Sequence, residues 1–577
     1  MKNVKLGVYL KGYRKQSVIA PLFKLLEALF DLLVPLVMAD IIDGGIASGD
    51  TGYILRRCLV LILLAVVGLA CSITAQYFAS QAAVGYATHL RSALFSHIQT
   101  LSFSQVDTLG KSTLITRMTS DVNQVQSGLN LFLRLFMRSP FVVFGSMVMA
   151  FTIDRKAALV FVLTIPALAA VVFGVMLLTK PLYKQVQTRL DGVLGMTREN
   201  LSGVRVVRAF NREQDEVTRF ENANGQLTKL QLFVGRIAAL MNPVTYLIVN
   251  FGIIALLRTG AVQVNAGALQ QGQVIALVSY MSQVLVELVK MASVIILTTK
   301  ALACASRIRG VLETEPDMAF PDGDKSASLQ GDAVRFSNVS LTYAGAGDES
   351  LSSISFFAHP GETIGVIGGT GSGKTSLVSL IPRFYDATAG TVLVFGKDVK
   401  DYKKDTLRQM VGVVLQRAQL FSGTIRDNLR YGNENATDDM LWAALKTAQA
   451  EEFVRQKPNG LDEPVEQGGR NLSGGQKQRL TIARALVKEP KILILDDSAS
   501  ALDFATDAAL RKAIAVLPGA ITTFIVSQRA ASLKDADRIL VLDDGALVGN
   551  GTHEQLLADC PVYREIYESQ FKKGGVQ

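Results

Sequence analysis

Between Ser17 and Leu297 the chain carries six runs that approach the roughly 20 apolar residues a helix needs to cross a bilayer. They lie near Ser17–Ile42, Cys58–Ala79, Leu135–Ile153, Ala157–Thr179, Ile237–Leu257 and Val274–Leu297. The second, fourth and fifth contain no charged residue. In hydrocarbon every backbone N–H and C=O must be paired within the protein, so such runs fold as helices. The expectation is therefore a polytopic all-α membrane domain. Composition agrees: 49% of the 577 residues are hydrophobic and only 19% are charged, with a positive mean hydropathy of +0.29. The hydrophobicity stops near residue 300, and residues 330–577 read as a soluble α/β domain, so at least two domains are expected.

Charge sets the expected orientation. Residues 1–16, 80–134 and 180–236 hold 19 Lys/Arg, against five in 43–57, 154–156 and 258–273. By the positive-inside bias both termini and the second domain face the cytosol across the cytoplasmic membrane. The net charge of +9 then reflects orientation and contact with anionic membrane lipid, and no basic tract with interleaved aromatics indicates nucleic acid. Lys2, Lys5, Lys11, Arg14 and Lys15 alternate with apolar residues ahead of the first span, as in a short amphipathic helix. Met1–Gln16 lacks the features of a cleaved signal peptide. Cys58, Cys71, Cys304 and Cys560 have no metal or disulfide spacing.

The connections are unequal. Asp154-Arg155-Lys156 is a tight turn, whereas two connections of about fifty residues are polar and helix-periodic, as in Tyr86–Gln99 and Gln185–Met196. Helices continuing out of the bilayer are expected there, with turns near Gly110–Asp121 and Leu201–Glu213. Charges inside spans need a reason, since each costs roughly 2.5–3.5 kcal/mol at mid-membrane. Lys24, Glu27 and Asp31 share one face of the first helix, and Glu287 and Lys290 sit three apart in the sixth. Two readings stand: a substrate pathway, or ion pairing that fixes helix packing. Phe and Met along the spans (Phe141, Phe144, Met147, Met149, Phe161, Phe173) read as packing.

Residues 306–330, with Glu313, Glu315, Pro316, Pro321, Asp322, Gly323 and Asp324, form a linker. The organisation is thus 1–305 membrane domain, 306–330 linker and 331–577 nucleotide domain. Gly368–Thr375 reads GGTGSGKT, a full match to the P-loop pattern between an apolar strand (Ile364–Ile367) and a helix (Ser376–Ile381). Gly368, Gly369, Thr370, Gly371, Ser372 and Gly373 let backbone N–H groups converge on phosphate, with Ser376 next in line. Lys374 neutralises β/γ-phosphate charge and the Thr375 hydroxyl ligates Mg²⁺. Asp496 closes the strand Ile492–Leu495, placed to hold the same ion. Ser473, Gly474, Gly475 and Gln476 precede a helix and offer a capping hydroxyl and free N–H groups.

P-loop, Gln416, NLSGGQ at Asn471–Gln476, ILILDD at Ile492–Asp497 and SALD at Ser500–Asp503, together with six spans, resemble a half-transporter of the ATP-binding cassette superfamily, exporter type. The resemblance implies a dimer with ATP between the P-loop of one subunit and the LSGGQ of the other. It implies that Tyr343 stacks on adenine, where a plain strand tyrosine is the alternative. It implies that Gln416 senses the γ-phosphate and the metal, that Asp503 belongs to the ATP-binding set, and that Glu466–Gly469 meets the partner's loops.

Two positions depart from the family pattern. After Asp496 the family has a glutamate that polarises water; here Asp497 is one methylene shorter, about 1.5 Å less reach. The switch histidine is replaced by Gln528 within Ser527-Gln528-Arg529, and an amide cannot carry a proton. His89, His97, His359 and His553 all fall outside the stretch from Asp496 to Gly551. The expectation is a heterodimeric exporter of amphipathic drugs, lipids or peptides. Its own ATP–Mg²⁺ site would be slow, while its Ser473–Gln476 completes a competent site on a different half-transporter. A homodimer, an exporter-fold importer and an ATP-gated channel or receptor are the alternatives.

Overall fold

The structure is a computed structural model that describes residues 4–321, 323, 331–498, 500–517 and 519–571. The chain divides into two compact units, one of Met1–Gln99 with Ser112–Glu315 and one of Thr100–Lys111 with Pro316–Gln577.

The first unit is all-helical. Its chain runs α1 (Arg14–Asp40), α2 (Thr51–Ile98), then, after α3 (Phe103–Leu109) of the second unit, α4 (Lys111–Thr116), α5 (Val122–Leu135), α6 (Arg138–Ile153), α7 (Arg155–Ala209), α8 (Glu213–Ala239), α9 (Met241–Asn265) and α10 (Gln271–Leu312). Among the described residues, five continuous helical stretches are long and apolar enough to cross a bilayer: Thr51–Ile98, Lys111–Ile153, Arg155–Ala209, Glu213–Asn265 and Gln271–Leu312. The remaining run, the first in the chain, lies in α1, where Lys24, Glu27 and Asp31 dilute its apolar character, and at 27 residues α1 is long enough to span as well. At 1.5 Å per residue the 55 residues of α7 reach about 80 Å, against a hydrocarbon layer of about 30 Å, so this helix continues well beyond the membrane.

Local chemistry sets the turns. Asp154 caps α7 by accepting from the N–H groups of Lys156 and Ala157, which fixes the tight turn read in the sequence. The first long turn comes earlier than the sequence suggests, at residues 99–110. Ser102 and Gln105 form a reciprocal cap that starts α3, and Gly110 ends it at φ 79°. Lys111–Asp121 is helical instead, with a π-helical turn at Arg117–Asp121. The second turn, between Ala209 and Glu213, lies inside the expected stretch. The amino-terminal residues form a 3-10 helix, Leu6–Tyr13, ahead of α1, and Lys2 lies outside the described residues. So do Asp322 and Asp324 of the linker, whose first residues, 306–312, complete α10.

Charged residues inside the first unit are gathered. Arg138 donates to Asp31 at 2.8 Å and to Glu287, and lies 3.9 Å from Glu27. Lys24 pairs with Glu27 at 2.6 Å and Lys290 with Glu287 at 3.0 Å, while Ser139 donates to Glu287 at 2.8 Å. Three helices, α1, α6 and α10, thus share one network of three cations and three carboxylates. Glu287 is only 4% exposed, a burial tolerable for a carboxylate only with partners of this kind. The apolar core of this unit includes Phe161, Leu168, Leu256, Leu277, Tyr280 and Met281, all buried.

The second unit is α/β. Its strands are β1 (Val334–Leu341), β2 (Leu351–Ala358), β3 (Thr363–Gly368), β4 (Ala389–Val394), β5 (Lys397–Asp398), β6 (Val411–Val414), β7 (Gly423–Thr424), β8 (Pro464–Val465), β9 (Ile492–Asp496), β10 (Thr522–Val526), β11 (Arg538–Asp543) and β12 (Ala546–Gly551). The main sheet has the order β12-β11-β3-β10-β9-β6, parallel except for the edge strand β12. Its central strands are apolar at successive positions because both faces are covered; every residue of β9 and β10 is buried. A second, antiparallel sheet, β2-β1-β4-β5, packs over it through Phe336, Phe356 and Phe524. Helix α3 joins this unit: the Phe103 ring lies 4.7 Å from Phe384, and Tyr385 Oη donates to Asp107 at 2.8 Å.

Candidate functional site

Register places the site. Val526 lies level with Val366 of β3 and with Asp496 of β9, and Val414 of β6 lies level with Leu495. The carboxyl ends of β6, β9, β10 and β3 are therefore neighbours, the position where open parallel sheets bind ligands. From those four ends emerge Gln416, Asp496-Asp497, Ser527-Gln528 and the loop Gly368–Gly373, in that spatial order.

The loop has the backbone its glycines permit. Gly371 and Gly373 sit at φ 84° and 93°, and a Cβ on Gly373 would come 2.6 Å from the Ser350 carbonyl oxygen. Gly369, Thr370 and Gly371 are exposed, whereas Gly368 and Ser372 are buried. Lys374 opens the helix Lys374–Leu380 and donates from Nζ to the Gly368 carbonyl at 3.0 Å, to the Gly369 carbonyl and to Ser372 Oγ at 3.3 Å. Burial lowers the Lys374 pKa, against the pull of Asp497 and Asp496. A half-buried ammonium folded over a glycine loop, answered mainly by carbonyls, suits a phosphate anion.

Thr375 Oγ1 donates to both carboxylate oxygens of Asp496, at 3.1 and 3.0 Å. Burial pushes the Asp496 carboxyl above its ordinary range and the Asp497 charge adds to this, while the Thr375 hydrogen bond and Lys374 oppose it. One hydroxyl and one carboxylate on a hard-oxygen site fit Mg²⁺, which takes few protein ligands and completes its shell with phosphate and water. Among the described residues no group of three or more His, Cys, Asp or Glu could hold a metal unaided.

Gln416 is exposed and its Nε2 donates to Asp497 Oδ2 at 3.3 Å. Asp497 itself sits at φ 47°, in the left-handed region, with its N–H donating to the Val526 carbonyl at 3.0 Å. Gln528 is exposed just past β10, and its carbonyl accepts from Gln570 at 2.7 Å. Tyr343 is half-buried; its hydroxyl donates to Ser376 Oγ at 2.9 Å, and burial raises its pKa.

Ser473–Gln476 belongs to a separate cluster. Ser473 Oγ accepts from the Gln476 N–H and Gln476 Oε1 from the Ser473 N–H, capping the helix Gly474–Leu486. A Cβ on Gly475 would meet the Ala501 carbonyl oxygen at 3.1 Å, so this segment abuts Ser500–Asp503. Asp503 in turn caps the helix Phe504–Ala515 through Thr506, and the Arg529 guanidinium lies 4.9 Å from the exposed Phe504 ring. Glu466–Gly469 precedes Ser473 as a 3-10 turn starting at Gln467.

The structure adds residues the sequence reading passed over. Arg138 joins all three carboxylates of the membrane network; its position at the head of an apolar run was the available signal. The Tyr385–Asp107 contact ties α3 to the neighbourhood of Tyr343, whose ring meets Tyr385 edge-on at 5.0 Å.

A helical membrane unit, a P-loop at the carboxyl ends of a parallel sheet and an SGGQ-capped helix define a membrane-bound ATPase with both functions in one chain. Residues 17–288 match the ABC transporter transmembrane region, and residues 351–500 match the ABC transporter family. An uncharacterized ABC transporter ATP-binding protein of Mycobacterium tuberculosis is 40% identical over 97% of both chains. The Bacillus subtilis uncharacterized ABC transporter ATP-binding protein YfiB is 38% identical over 98% of both. The ATP-dependent lipid A-core flippase of Desulfotalea psychrophila is 32% identical over 79% of this chain and 80% of its own. A bacterial Atm1-family ABC exporter, solved with ATP bound, shares the fold at a TM-score of 0.79 over 98% of this chain and 99% of its own, at 24% identity. The chain belongs to the ABC transporter family: an ATP-hydrolysing, multi-pass membrane transporter of exporter fold.

Proposed function

We propose that this chain is one half of a heterodimeric exporter whose own P-loop site holds ATP but turns it over slowly. The observation that carries this reading is Asp497. It stands where the family places a longer carboxylate, it is held in a left-handed backbone, and Gln416 donates to it at 3.3 Å.

The loop amides of Gly368–Gly373 and Lys374 hold the β- and γ-phosphates, with Ser376 beside them and Tyr343 stacked on adenine. Thr375, Asp496 and Gln416 hold Mg²⁺, which supplies charge neutralisation at the transferred phosphoryl group. Hydrolysis needs a carboxylate to polarise the attacking water. Asp497 falls about 1.5 Å short, and about 1 Å of misplacement costs on the order of 10²-fold. Gln528 donates a hydrogen bond to the γ-phosphate but takes no proton. Ser473, Gly474, Gly475 and Gln476, with Asp503 beside them, complete the competent site of a different half-transporter.

In this reading residues 1–305 form the membrane domain, 306–330 the linker and 331–577 the cassette, with cassette and termini in the cytosol. The cargo is an amphipathic drug, lipid or peptide, and the flippase relative favours lipids. ATP-dependent uptake into inverted vesicles tests the proposal: co-expression with a second, consensus-site half should give accumulation that either half alone does not. Equal accumulation by this chain alone would overturn the heterodimer, and no accumulation against a gradient by any pairing would indicate a gated pore.

A further inference from the structure

The network around Arg138 is uneven in a way packing alone does not require. Its two internal pairs, Lys24–Glu27 and Glu287–Lys290, are each satisfied within one helix. Arg138 is buried against Glu27, Asp31 and Glu287, with its side chain 12% exposed. Two members, however, stand at the edge: the Asp31 side chain is 44% exposed and that of Lys290 43%. Each joins the network through one partner, Asp31 through Arg138 and Lys290 through Glu287. Both lie within spans, Asp31 between Ser17 and Ile42 and Lys290 between Val274 and Leu297. A charge half-exposed at that depth faces a wet cavity or a protein surface, since facing lipid is prohibitive.

The charge count narrows what such a surface accepts. Lys24, Arg138 and Lys290 balance Glu27, Asp31 and Glu287, so the network is neutral as it stands. A monovalent cation or anion entering it would leave the network with an unbalanced charge within the depth of the membrane, which is penalised. A ligand carrying one charge of each sign would not. Its ammonium would meet the free lone pairs of Asp31, and its phosphate or carboxylate would meet the free N–H groups of Lys290. The same helices, α1 and α6, bound an apolar groove of about 720 Å³ lined by Leu25, Leu29, Leu32, Phe136, Phe141 and Phe144, with room for alkyl chains.

We propose that Asp31 and Lys290 form the headgroup-selecting part of the transport path and that the cargo class is a zwitterionic amphiphile bearing an ammonium and a phosphate or carboxylate. This rests on the exporter reading but is tested without transport. The purified full-length chain in a non-ionic detergent would be offered three lipids of identical acyl chains: phosphatidylethanolamine, phosphatidylglycerol and a trimethylammonium lipid. Retention of each would be measured by native mass spectrometry. The native chain should retain phosphatidylethanolamine about tenfold better than either charged lipid. Asp31→Asn should turn the preference to phosphatidylglycerol, and Lys290→Gln to the cationic lipid, while Asp31→Glu and Lys290→Arg keep the native order. A purely structural role would lower retention of all three alike. An order of preference unchanged in Asp31→Asn and Lys290→Gln, with the conservative variants folded, would overturn the proposal. Such a failure would leave ATP-driven uptake by the co-expressed pair untouched.

Discussion

Gln416 and Asp497, 81 residues apart in the chain, are joined by a hydrogen bond of 3.3 Å from amide to carboxylate at the carboxyl edge of the parallel sheet. A carboxylate serving as a base needs its lone pairs free and aimed at water. Here one oxygen is engaged by an amide and the side chain is short. Lengthening it should restore reach. Asp497→Glu combined with Gln528→His should raise phosphate release by the purified chain about 10²-fold, measured by steady-state ATPase assay.

Among the described residues, Lys374 is the cation that folds over the glycine loop. Replacing it with Ala removes at least one charge-assisted bond to phosphate, worth about 1.5–3 kcal/mol. ATP affinity, measured by equilibrium binding of a fluorescent ATP analogue, should fall at least about tenfold.

Arg138 is the only cation shared by α1, α6 and α10 in the described network. Arg138→Met leaves Glu27, Asp31 and Glu287 with two lysines between them, and breaking a buried pair in this way costs about 3–5 kcal/mol. Thermal unfolding in detergent should show a clear drop in midpoint. Glu287→Gln should lower it less, because Arg138 keeps Asp31 and Glu27.

Asp496 gives a pH dependence with a definite sign. Burial raises its carboxyl pKa in the folded state, so the contribution to stability is fully present below the ordinary carboxylate value and is lost as pH rises through the folded value. Asp496→Asn should therefore raise the unfolding midpoint at neutral pH in the absence of nucleotide. That gain should shrink as pH falls below the ordinary carboxylate range, as followed by scanning calorimetry from pH 7 to pH 3.

Much of this was legible in the chain because the signals are local. The P-loop, the SGGQ cap and the strand Ile492–Asp496 each depend on fewer than ten consecutive residues. The apolar runs are equally local, although α1 shows the limit: its three charges dilute the run, and the partner that accounts for Asp31 lies 107 residues away at Arg138. The first long turn was misplaced for a different reason. Gly110 signals a break, but whether the chain breaks before or after it is set by the Ser102–Gln105 cap, which competes with a helix-compatible sequence on both sides. The Gln416–Asp497 contact was invisible, because strand order, not spacing, brings β6 beside β9.

The central claim is that this chain's own site holds ATP without cutting it briskly. The most direct measurement is single-turnover hydrolysis by the purified chain alone, with radiolabelled ATP bound at one equivalent and bound nucleotide and released phosphate followed together. The account predicts that ATP stays bound and intact over many turnovers of a consensus-site transporter, and that the Asp497→Glu, Gln528→His variant releases phosphate. Prompt release by the unaltered chain would contradict it.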